Sequence, residues 1–149
     1  AEQLQRGGGR AREAAKEMGA ILIVKMHPGE APNNENFYVE GMKKAELKGV
    51  VTRKHNDHVI RASDCILTQG SSNLAVEATI LGTPVVEIYQ VSTRYPDYGP
   101  KGTWGEGLVD LIREAIRVGP LKEFERAMNY DADGKATDRA LEWILELCQ

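Results

Sequence analysis

Four short runs of apolar residues constrain this chain more than any other feature: "ILIVKM" (21–26), "GVVT" (49–52), "CILT" (65–68) and "PVVEIY" (84–89). They are rich in Ile and Val, are bounded by turn or capping residues, and lack strict apolar–polar alternation. Such runs read as strands buried on both faces of a parallel sheet. Parallel strands need crossover connections, and the segments between the runs have helical character. "NDHVIRAS" can start a short helix with Asn56 or Asp57 as its cap. "SSNLAVEATILG" sets Leu74, Ala78 and Leu81 on one face and stops at Gly82, a natural C-terminal cap before Pro84. The expected fold class is α/β, a doubly wound parallel sheet with right-handed crossovers.

The two ends of the chain modify that picture. "LQRGGGRAREAAKEMGA" reads as a helix with a three-glycine interruption, leading straight into the first strand. A doubly wound domain normally opens with a strand, so the expectation is a fragment, or a domain whose opening strand lies upstream of residue 1. The C-terminal third reads as helical: Leu108, Leu111, Ile112, Ala115 and Ile116 share one face, and so do Ala140, Trp143, Ile144 and Leu147. Residues 89–107, with two prolines and four aromatics, form the longest irregular segment, and loops of that length are often functional.

At 149 residues the chain fits one domain, 1–149, with room for a hydrophobic core. A net charge of −3 offers no general attraction to nucleic acid or to an anionic membrane. The apolar runs are too short to cross a bilayer, and residues 1–10 lack the apolar stretch of a signal peptide. The two cysteines, Cys65 and Cys148, do not make a disulfide framework and point to reduced thiols in a cytoplasmic setting. His27, His55 and His58 have no accompanying Cys or carboxylate cluster at zinc spacing, so no metal is expected.

The chemistry-bearing residues gather at the carboxyl ends of the apolar runs, where open α/β sheets bind ligands. After "CILT" the chain turns at Gln69-Gly70 and starts a helix at Ser71 or Ser72. The first turn of a helix presents unpaired N–H groups and the positive end of its dipole. Gly70, Ser71 and Ser72 therefore read as a phosphate cradle, or else one serine is simply the helix cap. Glu77, in the helix that follows, can accept two hydrogen bonds from a vicinal diol such as that of a ribose; the alternative is an exposed helical glutamate. His27 ends the first strand in "KMHPGE", where an imidazole can donate to a phosphate. Arg94, in "STRYPD", is a further basic candidate, while Arg53, Lys54, His55 and His58 either line a base pocket or are solvated.

In this order, the motifs resemble the C-terminal half of the GT-B superfamily, which holds two-domain glycosyltransferases and the non-hydrolysing UDP-N-acetylglucosamine 2-epimerases. The resemblance covers nearly the whole chain from Ile21 onward and implies a Rossmann-like doubly wound domain. "MHPGEAPN" is similar to the His-containing strand end of those epimerases, and "CILTQGSSNLAVEATILGTPVV" to their Thr-Asp-Ser-Gly-Gly…Glu-Glu-Ala…Gly-x-Pro-Val segment. "STRYPD" resembles their Thr-x-Arg-Pro-Glu loop, and "DADGKATDRALEWIL" their Gly-Asp-Gly-Lys-Ala…Arg-Ile helix entry. The resemblance implies that Ser71 contacts a diphosphate, that Glu77 binds the uridine ribose, and that His27 and Arg94 line the diphosphate and sugar side. This chain departs from the pattern with Gly-Ser-Ser-Asn for Asp-Ser-Gly-Gly, Val76-Glu77 for the double acid, and Tyr95 inserted in the arginine loop. The His-Pro strand end with a Ser-Ser turn is also similar to bacterial sialyltransferases and capsule-polymer transferases, which use CMP- or CDP-linked donors.

The resemblance further implies that the catalytic acids lie mostly in an N-terminal domain, so this chain would hold the donor and be inactive alone. Three readings follow: the nucleotide-sugar-binding half of a 2-epimerase, the donor domain of a glycosyltransferase, or a non-catalytic nucleotide-binding module. None requires a cofactor. The expected partners are a nucleotide-sugar, UDP-linked first, and the N-terminal domain, with an oligomer left open.

Overall fold

The segment Val85–Ile88 lies wholly within the interior, each residue at most 1% exposed, because neighbouring strands flank it and helices cover both its faces. Around it, a computed structural model of the protein describes residues 2–69, 72–88, 101–102, 107–120 and 133–148. In chain order the elements are α1 (Glu2–Met18), β1 (Leu22–Lys25), α2 (Asn34–Lys44), β2 (Gly49–Thr52), α3 (Asn56–Arg61) and β3 (Ile66–Gln69). Then follow α4 (Asn73–Ile80), β4 (Val85–Ile88), β5 (Lys101–Gly102), α5 (Leu108–Val118) and α6 (Ala136–Leu147). The chain is thus mixed α/β, and every strand pair is parallel.

The four apolar runs all become strands, shifted by at most one residue at each end. Among the described residues they do not form one continuous sheet. β1 pairs with β2 in one sheet, and β3, β4 and β5 pair in that order in a second. Side-chain alternation sorts the second sheet's residues between two helical layers. Val86 and Ile88, with Cys65 and Leu67, pack against Ala14 of α1 and Leu108, Val109, Ile112 and Ala115 of α5. Ile66 and Val85 face the other way, against Ile60 of α3 and Ala75 and Ala78 of α4. Helix α2 touches α1, with the Arg12 guanidinium against Gly41, so α1, α2 and α5 make one layer and α3 and α4 the other. α2 also lies tight on its strand: a Cβ at Gly49 would run into the Leu22 carbonyl and the Met42 sulfur.

Several local expectations need correction. Helix α1 runs unbroken through the three glycines, since its later turns are anchored by buried Ala14 and Ala15 and packing outweighs propensity. His55, not Asn56 or Asp57, precedes the first turn of α3, and no side chain caps that helix. On α4, Ala78 is buried and Leu74 partly so, whereas Leu81 falls past the helix end and is 37% exposed. Gly82 does stop the helix, at φ 82°, a left-handed conformation that side chains resist. The segment read as a loop contains β5, whose Lys101 and Gly102 register with Glu87 and Ile88. The apolar faces read in the C-terminal third fare differently: on α5, Leu108, Ile112 and Ala115 are buried, while Ile116 is 44% exposed. On α6 no residue is buried, and Trp143, Ile144 and Leu147 face outward. Among the described residues, no helix is long and apolar enough to cross a membrane.

Candidate functional site

Because all strands in each sheet are parallel, the turns that leave them emerge at the carboxyl rim, and the chemistry-bearing residues sit there. His27 is one residue beyond the buried Met26 that closes β1. Pro28 forbids further pairing, and the chain curls back so that the Glu30 carboxylate accepts from the His27 backbone N–H at 3.2 Å. The His27 Nδ1 accepts from the Gly29 N–H at 3.1 Å. That bond assigns the ring proton of the neutral imidazole to Nε2, which leaves an exposed donor at the rim.

Glu30 organises this end. Its Oε1 accepts from the Tyr38 hydroxyl at 2.7 Å and from the Asn34 side-chain amide at 3.3 Å, both on α2. Burial alone would raise the Glu30 pKa; the bonds from Tyr38, the His27 N–H and Asn34, with the charge of Arg53, outweigh it and hold the carboxyl below its usual range. Conversely, burial and the bond to Glu30 push the Tyr38 hydroxyl up to about 12. Arg53, the residue after β2, donates from Nη2 to the Glu30 carbonyl at 3.0 Å. The loops after β1 and β2 are therefore stitched together, with the exposed His27 and Arg53 on the same edge.

Across the molecule, Ser72 is the N-cap of α4, in extended conformation, and its Oγ accepts from the Leu74 N–H at 3.2 Å. Its hydroxyl oxygen therefore caps the helix, and the O–H proton can still be donated to a ligand. Glu77, half-buried on α4, accepts from the Asn56 side-chain amide at 3.2 Å. Asn56 opens α3, so this bond ties the end of β2 to the helix that follows β3. His27 and Arg53 thus form one cluster around Glu30, while Glu77 of α4 is tied to the β2–α3 turn through Asn56 and Ser72 caps the start of the same helix. Gly70, Ser71 and Arg94 lie outside the described residues. Lys54, His55 and His58 are exposed, and the His55 ring stands 3.5 Å from Asp57. Among the described residues, no group of His, Cys, Asp and Glu can hold a metal ion.

Three features of the structure escaped the sequence reading. Glu30, Asn34 and Tyr38 repeat at four-residue spacing, a period that was available in "EAPNNENFY" but went unused. Asn56 and Glu77 are 21 residues apart, with nothing local to connect them. Glu87 is fully buried on β4, in register with the buried Thr68 of β3, and a lone acid inside an apolar run was the signal. No protein family, no curated protein and no solved structure matches the chain.

Proposed function

We propose that this chain binds the nucleotide of a nucleotide-sugar, UDP-linked, as one half of a UDP-N-acetylglucosamine 2-epimerase-like enzyme whose other half supplies the catalytic acids. One observation carries the reading: the bond from Arg53 to Glu30 joins the turns after β1 and β2, and the bond from Asn56 to Glu77 ties the start of α3 to α4, the helix that follows β3, along one rim. That rim joins exposed donors at His27 and Arg53 to a helix start at Ser72 and a carboxylate at Glu77. Donors at the first cluster and the N–H groups of α4 suit a diphosphate, and Glu77 suits a ribose diol. In the full reaction the same groups would stabilise the departing diphosphate, which needs preorganised donors.

Calorimetry with UDP, CDP and CMP tests this. UDP is expected to bind, and Glu77→Gln, which keeps an acceptor for Asn56 but loses the charge, is expected to weaken binding by about 1–3 kcal/mol. Preference for cytidine nucleotides would shift the assignment to a glycosyltransferase donor domain. Failure of all three to bind would remove the nucleotide reading.

A further inference from the structure

The two sheets do not meet, and what lies between them is informative. A cavity of about 270 Å³ separates β1 from β3. It is lined by Ile23 of β1 and Leu67 of β3, by Ala15 of α1 and Ile112 of α5 from one layer, and by Val59 of α3 and Leu74 of α4 from the other. A cavity touched by both helical layers passes through the plane of the sheet. The ladders agree. Leu22 of β1 and Met26, the residue after it ends, bond toward β2, and Ile66 of β3 bonds toward β4. In a parallel strand the N–H and C=O of one residue point the same way and those of the next point oppositely. The backbone groups of Ile23 and Leu67 therefore face each other across the gap.

The handedness of the crossovers supplies an independent argument. Right-handed connections that step in opposite directions along a sheet put their helices on opposite faces. β1-α2-β2 uses the layer of α1, and β3-α4-β4 uses the other. Since α1 shares the layer of α2 and runs into β1, a strand feeding α1 must step in the same direction as β1 to β2. Such a strand lies beside β1 on the side away from β2, which is the side of the cavity.

We propose that the gap between β1 and β3 is a strand seat, filled by an extended apolar segment of the same polypeptide, N-terminal to Ala1, that leads into α1. The segment runs parallel to β1 and β3 and is apolar on both faces, because both helical layers would cover it. A strand of about five residues is the usual length. Its carboxyl end would emerge between His27 and Ser72, so the seat also completes the rim. This inference does not depend on which ligand the rim takes.

The test places Val-Ile-Val-Val-Thr and a short polar turn before residue 1, in a Cys148→Ser background where Cys65 is the remaining thiol. Cys65 lines the cavity, and burial, with the charge of Asp64, pushes its pKa up to about 11, so its labelling reports on opening. The expected result is at least ~10-fold slower amide exchange at Ile23 and Leu67 and a comparable fall in Cys65 labelling, a gain of about 1.4 kcal/mol in local stability. The same extension with two central prolines leaves both at the values of the unextended chain, since proline cannot donate to a ladder. The acetylated peptide added in trans at millimolar concentration reproduces the protection. No protection in either format overturns the proposal, as does protection at β2 or β5 instead. Concentration-dependent protection of the unextended chain would make a second copy the occupant and overturn it equally.

Discussion

Two strands of nearly the same composition meet opposite fates. "GVV" in β2 and "PVV" at the start of β4 each bring adjacent valines, yet Val50 is 50% exposed while Val86 is 0% exposed. β4 has strands on both sides and a helix layer on both faces; among the described residues β2 is an edge strand paired with β1 alone. Each half is consequently held by different forces. The β3–β4 half rests on apolar burial across two clusters. At the rim of the β1–β2 half, the polar knot of Glu30, Asn34, Tyr38 and Arg53 carries a larger share. Burial in a strand is thus a property of what surrounds it, and a valine pair does not announce its surroundings.

The sharpest way to break the comparison is to truncate one branched side chain in each half, buried in one and exposed in the other. Ile88→Ala, in the buried half, is expected to cost about 2–5 kcal/mol, whereas Val50→Ala stays within about 0.5 kcal/mol. Urea denaturation midpoints measure both; equal effects would show that the halves are not packed differently. A smaller effect is expected at the cap of the helix covering the buried half. Ser72→Ala leaves the Leu74 N–H without its acceptor and should destabilise by about 1 kcal/mol in the same assay, with Ser72→Asp restoring most of it.

The smallest effects concern the polar knot. The Glu30 pKa is depressed in the folded chain, so its contribution is present above the unfolded value and lost as pH falls through the folded value. Acid should therefore loosen the loops after β1 and β2 before the β3–β4 half, as amide exchange at His27 and Gly29 against Val86 would register. At the alkaline end Tyr38, raised to about 12, should ionise above the ordinary range of a phenol. Glu30→Gln removes the facing charge and should bring that titration down, read from the ultraviolet absorbance of tyrosinate. A Tyr38 titration unmoved by that change would mean that Glu30 does not face it in solution.

Much of the architecture was legible from local pattern. The runs at 21–26, 49–52, 65–68 and 84–89 announced β1 to β4 because branched apolar residues between turn signals have few other uses. Ser72 and Gly82 marked the limits of α4 because capping chemistry is local. The rim residues His27 and Arg53 were legible for the same reason: a strand end shows in sequence as the place where the apolar run stops. The Asn56–Glu77 bond was not, since it depends on α3 and α4 packing side by side. Nor was the continuity of α1 through its glycines, which propensity argues against and packing enforces.

By itself, the order of residues determined that the four apolar runs are strands, that they run parallel, and where α4 begins and ends, all through steric and hydrogen-bonding preferences acting over a few residues. Only the tertiary structure decided that Val86 is sealed and Val50 wet, that the turns after β1 and β2 are stitched by Arg53, and that β1 and β3 stand apart across an apolar cavity. Those outcomes depend on which elements become neighbours, and burial, dielectric and pairing are properties of neighbours in space.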